Sequence, residues 1–243
     1  MSENFIQVKM PSHCKAYPPE VDPEKISMRV TKGRDEKIIS EITNDNFEKK
    51  FLMLLKSVMQ GIDPNILTLG DRKYAMIWLV INSISPKQTL DMTCQTCLQQ
   101  IKIDVDLSTF EVKELPEELV LPKAIKLSDR TVTLRLLTVG DEVKVASLEN
   151  QGQNVWLYRY ALSVVPQDEK KTVWNVVEEL EDMNASDLAK IRAFHEVYDH
   201  GPIMETKYEC QKCGGVGQVA VPFRIEMLFP YGETLKATFG AEL

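Results

Sequence analysis

A chain of 243 residues with 44% hydrophobic side chains can bury a core of ordinary size, and its length suits two units of about 110 residues each. A formal charge of −7 argues against a phosphate-binding surface, because nucleic-acid footprints need clustered Lys and Arg. The start, Met1-Ser2-Glu3-Asn4, is polar and acidic, and no apolar run approaches the roughly 18 residues of a span, so neither signal peptide nor membrane helix is expected.

In chain order, Met10-Pro11 precedes a strand-like run, Ser27-Met28-Arg29-Val30, and Asp35-Glu36 follows it. Helices are predicted from Asp35 to Ile42 and from Asp45 to Gln60, the second with Phe47, Phe51, Leu54, Leu55, Val58 and Met59 at helical spacing before Gly61 ends it. Thr68-Leu69-Gly70-Asp71 has capping-box form, and Tyr74 to Ile84 is apolar nearly all round. A buried central helix is expected there, terminated by Pro86. Thr89 to Thr93 then leads into Cys94-Gln95-Thr96-Cys97, and Gln100 to Leu107 leaves it with period-2 alternation, the pattern of a β-hairpin with the cysteines at its tip. A Pro-punctuated arm, Phe110 to Pro122, follows.

The plan then recurs. Leu121-Pro122, Thr133-Leu134-Arg135-Leu136 and Asp141-Glu142 follow the order of the first half, the strand and the acidic pair at one common offset. Helices are predicted at Val139 to Asn150, Asn154 to Val164, Thr172 to Glu181 and Ala185 to His200. Glu205 to Tyr208 enters a second pair, Cys210-Gln211-Lys212-Cys213, and Val216 to Pro222 leaves it, with Gly214 and Gly215 supplying the open turn. The cysteine pairs are offset further than the strands, which the extra helical hairpin of the second half accounts for. An α+β fold is expected, built by tandem duplication of a strand, helices and a zinc-knuckle hairpin: residues 1–119 form the first repeat, and 120–243 the second, with the helical insertion, second knuckle and a C-terminal arm from Phe223 to Leu243.

Two residues between cysteines let both thiolates of a tight turn face one ion, so Cys94, Cys97, Cys210 and Cys213 are expected to form one shared, zinc-ribbon-like site for zinc. Residues 98–209 separate the pairs, far more than the roughly 15–20 of a compact ribbon, so each pair needs its own hairpin. A thioredoxin-like pair would open a helix after a strand, whereas here each pair turns back into β sequence. Catalytic zinc keeps a water in its fourth position, which four cysteines close. Thiolates free to bind metal imply a reducing compartment. Cys14 is left over, with His13 beside it as a weaker candidate ligand. His195 and His200, five apart, do not share a helix face as an i, i+4 pair does, and are expected to be surface or cap residues. Glu178, Glu179, Glu181 and Asp182 read as a solvated helix end. No Gly-rich phosphate loop, G-x-S-x-G elbow or His-Glu-x-x-His appears, and no enzyme is expected.

The order Met10-Pro11-Ser12 with Tyr17, Met28-Arg29-Val30, Asp35-Glu36, Leu69-Gly70-Asp71, Cys94-x-x-Cys97, Val105-Asp106-Leu107 and Leu121-Pro122 resembles the baseplate hub protein family of T-even-type tailed bacteriophages, over residues 8 to 230. The resemblance implies a small structural or assembly component of the contractile tail, at the hub where tube, tape measure and puncturing apparatus meet. Its partners would be other phage tail or baseplate hub proteins, with neither nucleic acid nor membrane, and with room for symmetric copies around the tail axis. Its place would be the virion tail baseplate, after assembly in the host cytoplasm. The chain departs from that pattern in its Met10-Pro11-Ser12 start, in knuckles without the usual Pro or, in the first, the usual Gly, and in its enlarged second half. Readings from other classes are a cytoplasmic zinc-ribbon adaptor or regulatory protein, and an enzyme using the cysteines or a cryptic pocket. The C-terminal arm, dotted with Phe229, Tyr231, Leu235 and Phe239, is expected to be covered by a partner, so that truncation after Pro222 leaves a folded chain.

Overall fold

The computed structural model describes residues 4–231 and residue 235. The chain opens with β1 (Ile6–Gln7), β2 (Ser27–Met28), helices α1 (Gly33–Ser40) and α2 (Phe47–Val58), and β3 (Met59–Gln60). These strands form an antiparallel sheet in the order β1-β2-β3. Helix α3 (Leu69–Ser83) follows, then the hairpin β4 (Lys87–Thr93) and β5 (Gln100–Asp106), then β6 (Val112–Lys113). The second half runs β7 (Lys123–Lys126), β8 (Thr131–Leu134), α4 (Val139–Glu149), α5 (Trp156–Ser163) and β9 (Val164–Val165), again with sheet order β7-β8-β9. It continues with α6 (Val173–Glu181), α7 (Ala185–Val197), β10 (Gly201–Pro202), which pairs with β6, and the hairpin β11 (Glu205–Glu209) and β12 (Val216–Ala220). The protein is a mixed helix and sheet fold in which strand–strand–helix–helix–strand occurs twice. Among the described residues no helix is long and apolar enough to cross a membrane.

Each of these units is locked by the same contact. The Arg29 guanidinium donates to Asp35 through both terminal nitrogens, at 2.6 and 3.1 Å, and to the Val30 carbonyl at 2.9 Å. Arg135 does the same to Asp141, at 2.7 and 3.0 Å, and to the Leu136 carbonyl at 3.0 Å. Each aspartate sits in the first turn of its helix and accepts the N–H of the residue that caps it, Lys32 at 2.8 Å or Thr138 at 3.0 Å. A carboxylate here satisfies an orphan N–H and the helix dipole while a forked cation ties the helix to the preceding strand. The backbone agrees, with Arg29 N–H donating to the Val58 carbonyl and Arg135 N–H to that of Ser163.

Several boundaries differ from the sequence reading. The helix predicted to reach Gln60 stops at Val58, because Met59-Gln60 pairs with β2, and Val164-Val165 likewise leaves α5 to pair with β8. Two-residue strands carry no periodicity to read. The halves meet where Thr68 and Thr138, the caps of α3 and α4, form an antiparallel bridge. There Leu69 N–H donates to the Leu137 carbonyl and Val139 N–H to that of Leu67.

The arms need correction. Val221, Met227 and Leu228 are buried in the main core with Phe51, Leu54, Leu55 and Leu79, and Phe223 meets Phe47 and Phe51 edge-on at 6.3 and 6.2 Å. Leu115 and Leu119 of the first arm are buried in the second core, with Leu134, Ile191 and Phe194. The chain itself therefore covers the apolar residues of 223–229, which were expected to await a partner. Among the described large apolar residues of the C-terminal arm, Tyr231 and Leu235 are exposed, and Phe239 lies outside the described residues.

Candidate metal centre

Both cysteine turns are shaped by the same backbone bonds. In the first, which closes β4 on β5 beyond the Thr93–Gln100 pair, Cys94 N–H donates to the Gln99 carbonyl and Leu98 N–H to that of Cys94, each at 2.9 Å. In the second, Cys210 N–H donates to Gly215 and Gly214 N–H to Cys210, each at 2.8 Å. The residue after each second cysteine adopts left-handed backbone, Leu98 with φ 57° and Gly214 with φ 68°. Glycine meets that demand freely, and leucine meets it under strain.

The turns face each other. Tyr208 of β11 accepts the Gln95 N–H from the other hairpin at 3.2 Å, and Ile101, Tyr208, Cys94 and Cys210 form a small buried cluster flanked by Met92, Ile103 and Val219. A Cβ at Gly215 would lie 2.5 Å from Thr96 Oγ1, so only glycine lets the knuckles close this far. Cys94 Sγ stands 3.9 Å from Cys213 Sγ and Cys97 Sγ 3.9 Å from Cys210 Sγ, and all four sulfurs lie within 4.8 Å of one another. A tetrahedron with metal–sulfur bonds of about 2.3 Å has edges of about 3.8 Å. The sulfurs therefore fit a four-thiolate metal shell, and their spacing is about twice a disulfide bond.

Electrostatics point the same way. Backbone N–H groups of Cys97 and Thr96, working against burial, draw the Cys94 thiol down to about 6. Cys213 receives an N–H from Gly215, yet the surrounding sulfurs of Cys97, Cys210 and Cys94 push it up to about 12. One thiol ionises readily and the last resists, which is the behaviour of clustered thiolates without a compensating cation.

The other singled-out residues lie apart from this cluster. His13 contacts Glu114 at 3.2 Å, and Cys14 is half-buried, its thiol raised to about 11 by burial and the Asp71 carboxylate. Neither joins the four sulfurs. His195 on α7 is partly buried, and His200, three residues past the end of that helix, is buried. His200 is buried between the Thr68 hydroxyl, 2.7 Å from its Nε2, and the Tyr198 carbonyl, 2.9 Å from its Nδ1. His195 lies tilted against Tyr160 and edge-on to Phe194, and burial together with Arg159 and Arg135 lowers it to about 4. Sequence reasoning also missed Asp71 as a junction. It accepts Ser12 N–H at 2.9 Å, the Ser12 hydroxyl at 2.5 Å and the Tyr17 hydroxyl, tying the N-terminal segment to α3. The capping-box motif was the available signal, since an acid in a first turn is a ready acceptor.

Fold and centre together define a mixed helix and sheet protein whose two hairpins present one four-cysteine cluster. A family model described as T4 bacteriophage base plate protein matches residues 4–230, so the chain belongs to that family. No curated protein and no solved structure matches it.

Proposed function

We propose that this chain is a zinc-stabilised structural or assembly component of the contractile tail's baseplate hub, and that it binds other hub or tail proteins rather than catalysing a reaction. The observation that carries the reading is the four-sulfur cluster shared by two hairpins far apart in the sequence of a baseplate-family chain. An all-thiolate tetrahedral shell suits zinc among the common divalent ions and leaves no open position for substrate. Bound there, the metal supplies cross-linking free energy, on the order of 10 kcal/mol in isolated knuckles. Cys94 and Cys97 hold the first hairpin to it and Cys210 and Cys213 the second. Two-stranded hairpins are marginal alone, so fixing one against the other makes a rigid surface from two weak elements.

The matching order of strands, helices and Arg–Asp contacts supports an origin by tandem duplication, with repeats at residues 1–119 and 120–243 and α6 and α7 as the insertion. On this reading the protein acts in the virion baseplate and is assembled in the reducing host cytoplasm, where its thiols stay available for metal. The test is complementation of a phage lacking this chain with the Cys97→Ser, Cys210→Ser double variant. Failure to form complete baseplates, with full rescue by the unaltered chain, is expected. Normal particle yield from the double variant would contradict the reading.

A further inference from the structure

A cavity of about 260 Å³ opens between the two halves, away from the cysteines. Its walls include Gly70 at the start of α3, Leu137 before α4, Arg159 and Tyr160 on α5, and His195 and Tyr198 at the end of α7. His195 Nε2 is buried and has no hydrogen-bond partner among the described residues. A buried ring nitrogen left unpaired is uncommon in native proteins and marks a place where a further polar group belongs. Arg159 commits Nε, at 2.9 Å, and Nη2 to the Glu142 carboxylate, which leaves Nη1 unpaired among the described residues. His200, the other imidazole on this wall, has both nitrogens engaged, with Thr68 and Tyr198.

We propose that this cavity binds a single carboxylate group, with the His195 imidazole and the remaining N–H groups of Arg159 as its donors. The choice of a singly charged ligand follows from the surrounding charges. Arg159 is paired with Glu142, Arg135 with Asp141 and Lys73 with Asp199, so the fixed groups around His195 cancel. Asp71, 3.7 Å from His200, is already saturated by Ser12 and Tyr17. One proton taken up by His195 balances one incoming negative charge, whereas a doubly charged phosphate would leave an excess beside Glu142 and Asp199. Binding and protonation of His195 are therefore linked. The carboxylate has two conceivable sources, a free small acid or the C-terminus of a partner chain, and they share this chemistry.

The test uses the full chain with ¹⁵N-labelled histidine, titrated with sodium acetate at constant ionic strength and followed by imidazole NMR at pH 5.5 and 7.5. A saturable shift of the His195 ring is expected, with affinity up to about a hundredfold higher at pH 5.5 than at 7.5 because one proton accompanies the ligand. His13, exposed and not part of the cavity wall, should move only weakly and without saturation. A non-saturating His195 response, or one indistinguishable from that of His13, overturns the proposal. A second arm compares a short peptide ending in a free carboxylate with its C-terminal amide. Tighter binding of the free-acid peptide than of acetate assigns the site to a partner's terminus, and equal binding assigns it to a small acid. Binding of the amide as well as the acid overturns the proposal. His195→Gln should abolish saturable broadening of ¹³C-acetate, and unchanged acetate affinity in that variant overturns the proposal too. If the variant misfolds, the wild-type titration decides alone.

Discussion

Arg29 with Asp35 and Arg135 with Asp141 make one set of contacts in two different surroundings. The first pair is sealed, with both side chains about 1% exposed, and the Ser57 side chain and carbonyl complete its shell. In the second pair Asp141 is buried, but Arg135 is 34% exposed and Lys144 reaches the same carboxylate at 3.6 Å. The same geometry should therefore carry unequal weight. A buried charge that loses its partner has no water to turn to, whereas the open pair can rehydrate or borrow Lys144. The cysteine turns show a parallel asymmetry, since leucine in the first half stands where the second half has glycine.

The largest expected effect concerns what the first half borrows from the chain's end. Truncation after Pro222 removes Phe223, Met227 and Leu228 from the main core. With about 2–5 kcal/mol for each large apolar side chain lost, the sum rivals the roughly 5–15 kcal/mol of net stability. The truncated chain should show no cooperative thermal transition by circular dichroism, and a folded product would mean that 223–229 is dispensable. Next in size, Arg29→Met should cost about 3–5 kcal/mol in urea unfolding, against about 1–2 for Arg135→Met. Equal losses would erase the proposed difference between sealed and open pairs.

Acid should also separate the halves. His195, lowered to about 4 from an ordinary value near 6.5, is neutral when folded. The stability it contributes is complete above pH 6.5 and is lost as pH falls towards 4, up to about 3 kcal/mol. Asp35 and Asp141 add to this loss, but only at lower pH. Burial raises each carboxyl, but Arg29 and Arg135 outweigh it and hold them below the usual range, so their contributions fade only beneath about pH 4. Between these limits the second half should loosen first, seen in the fluorescence of Trp156 and Trp174 before Trp78. His195→Gln should flatten the decline. The smallest effect belongs to the turns: Leu98→Gly should be neutral or stabilise by up to about 1 kcal/mol, and Gly214→Ala should cost a similar amount.

What the sequence made legible follows from the range of the physics involved. The hairpins, the long helices and the cysteine set could be read because alternation, helical spacing and Cys-x-x-Cys are local signals. The central helix was placed by Thr68 and Asp71, which the structure uses as cap and acceptor. The two-residue strands Met59-Gln60 and Val164-Val165 are defined only by their partners, and the helical spacing runs on through Gln60 and Val164. The sequence reads His195 and His200 as surface or cap residues and Phe223 to Phe229 as covered by a partner, because their burial depends on elements distant in the chain and no periodicity within them records it.

The central claim is that one metal ion joins hairpins from the two halves through Cys94, Cys97, Cys210 and Cys213. Elemental analysis of the purified, reduced chain tests it most directly. About one equivalent of zinc per chain is expected, falling to near zero when either Cys97 or Cys210 is changed to serine. Two equivalents, retention of metal in both single variants, or a disulfide within each pair in the freshly isolated protein would contradict it.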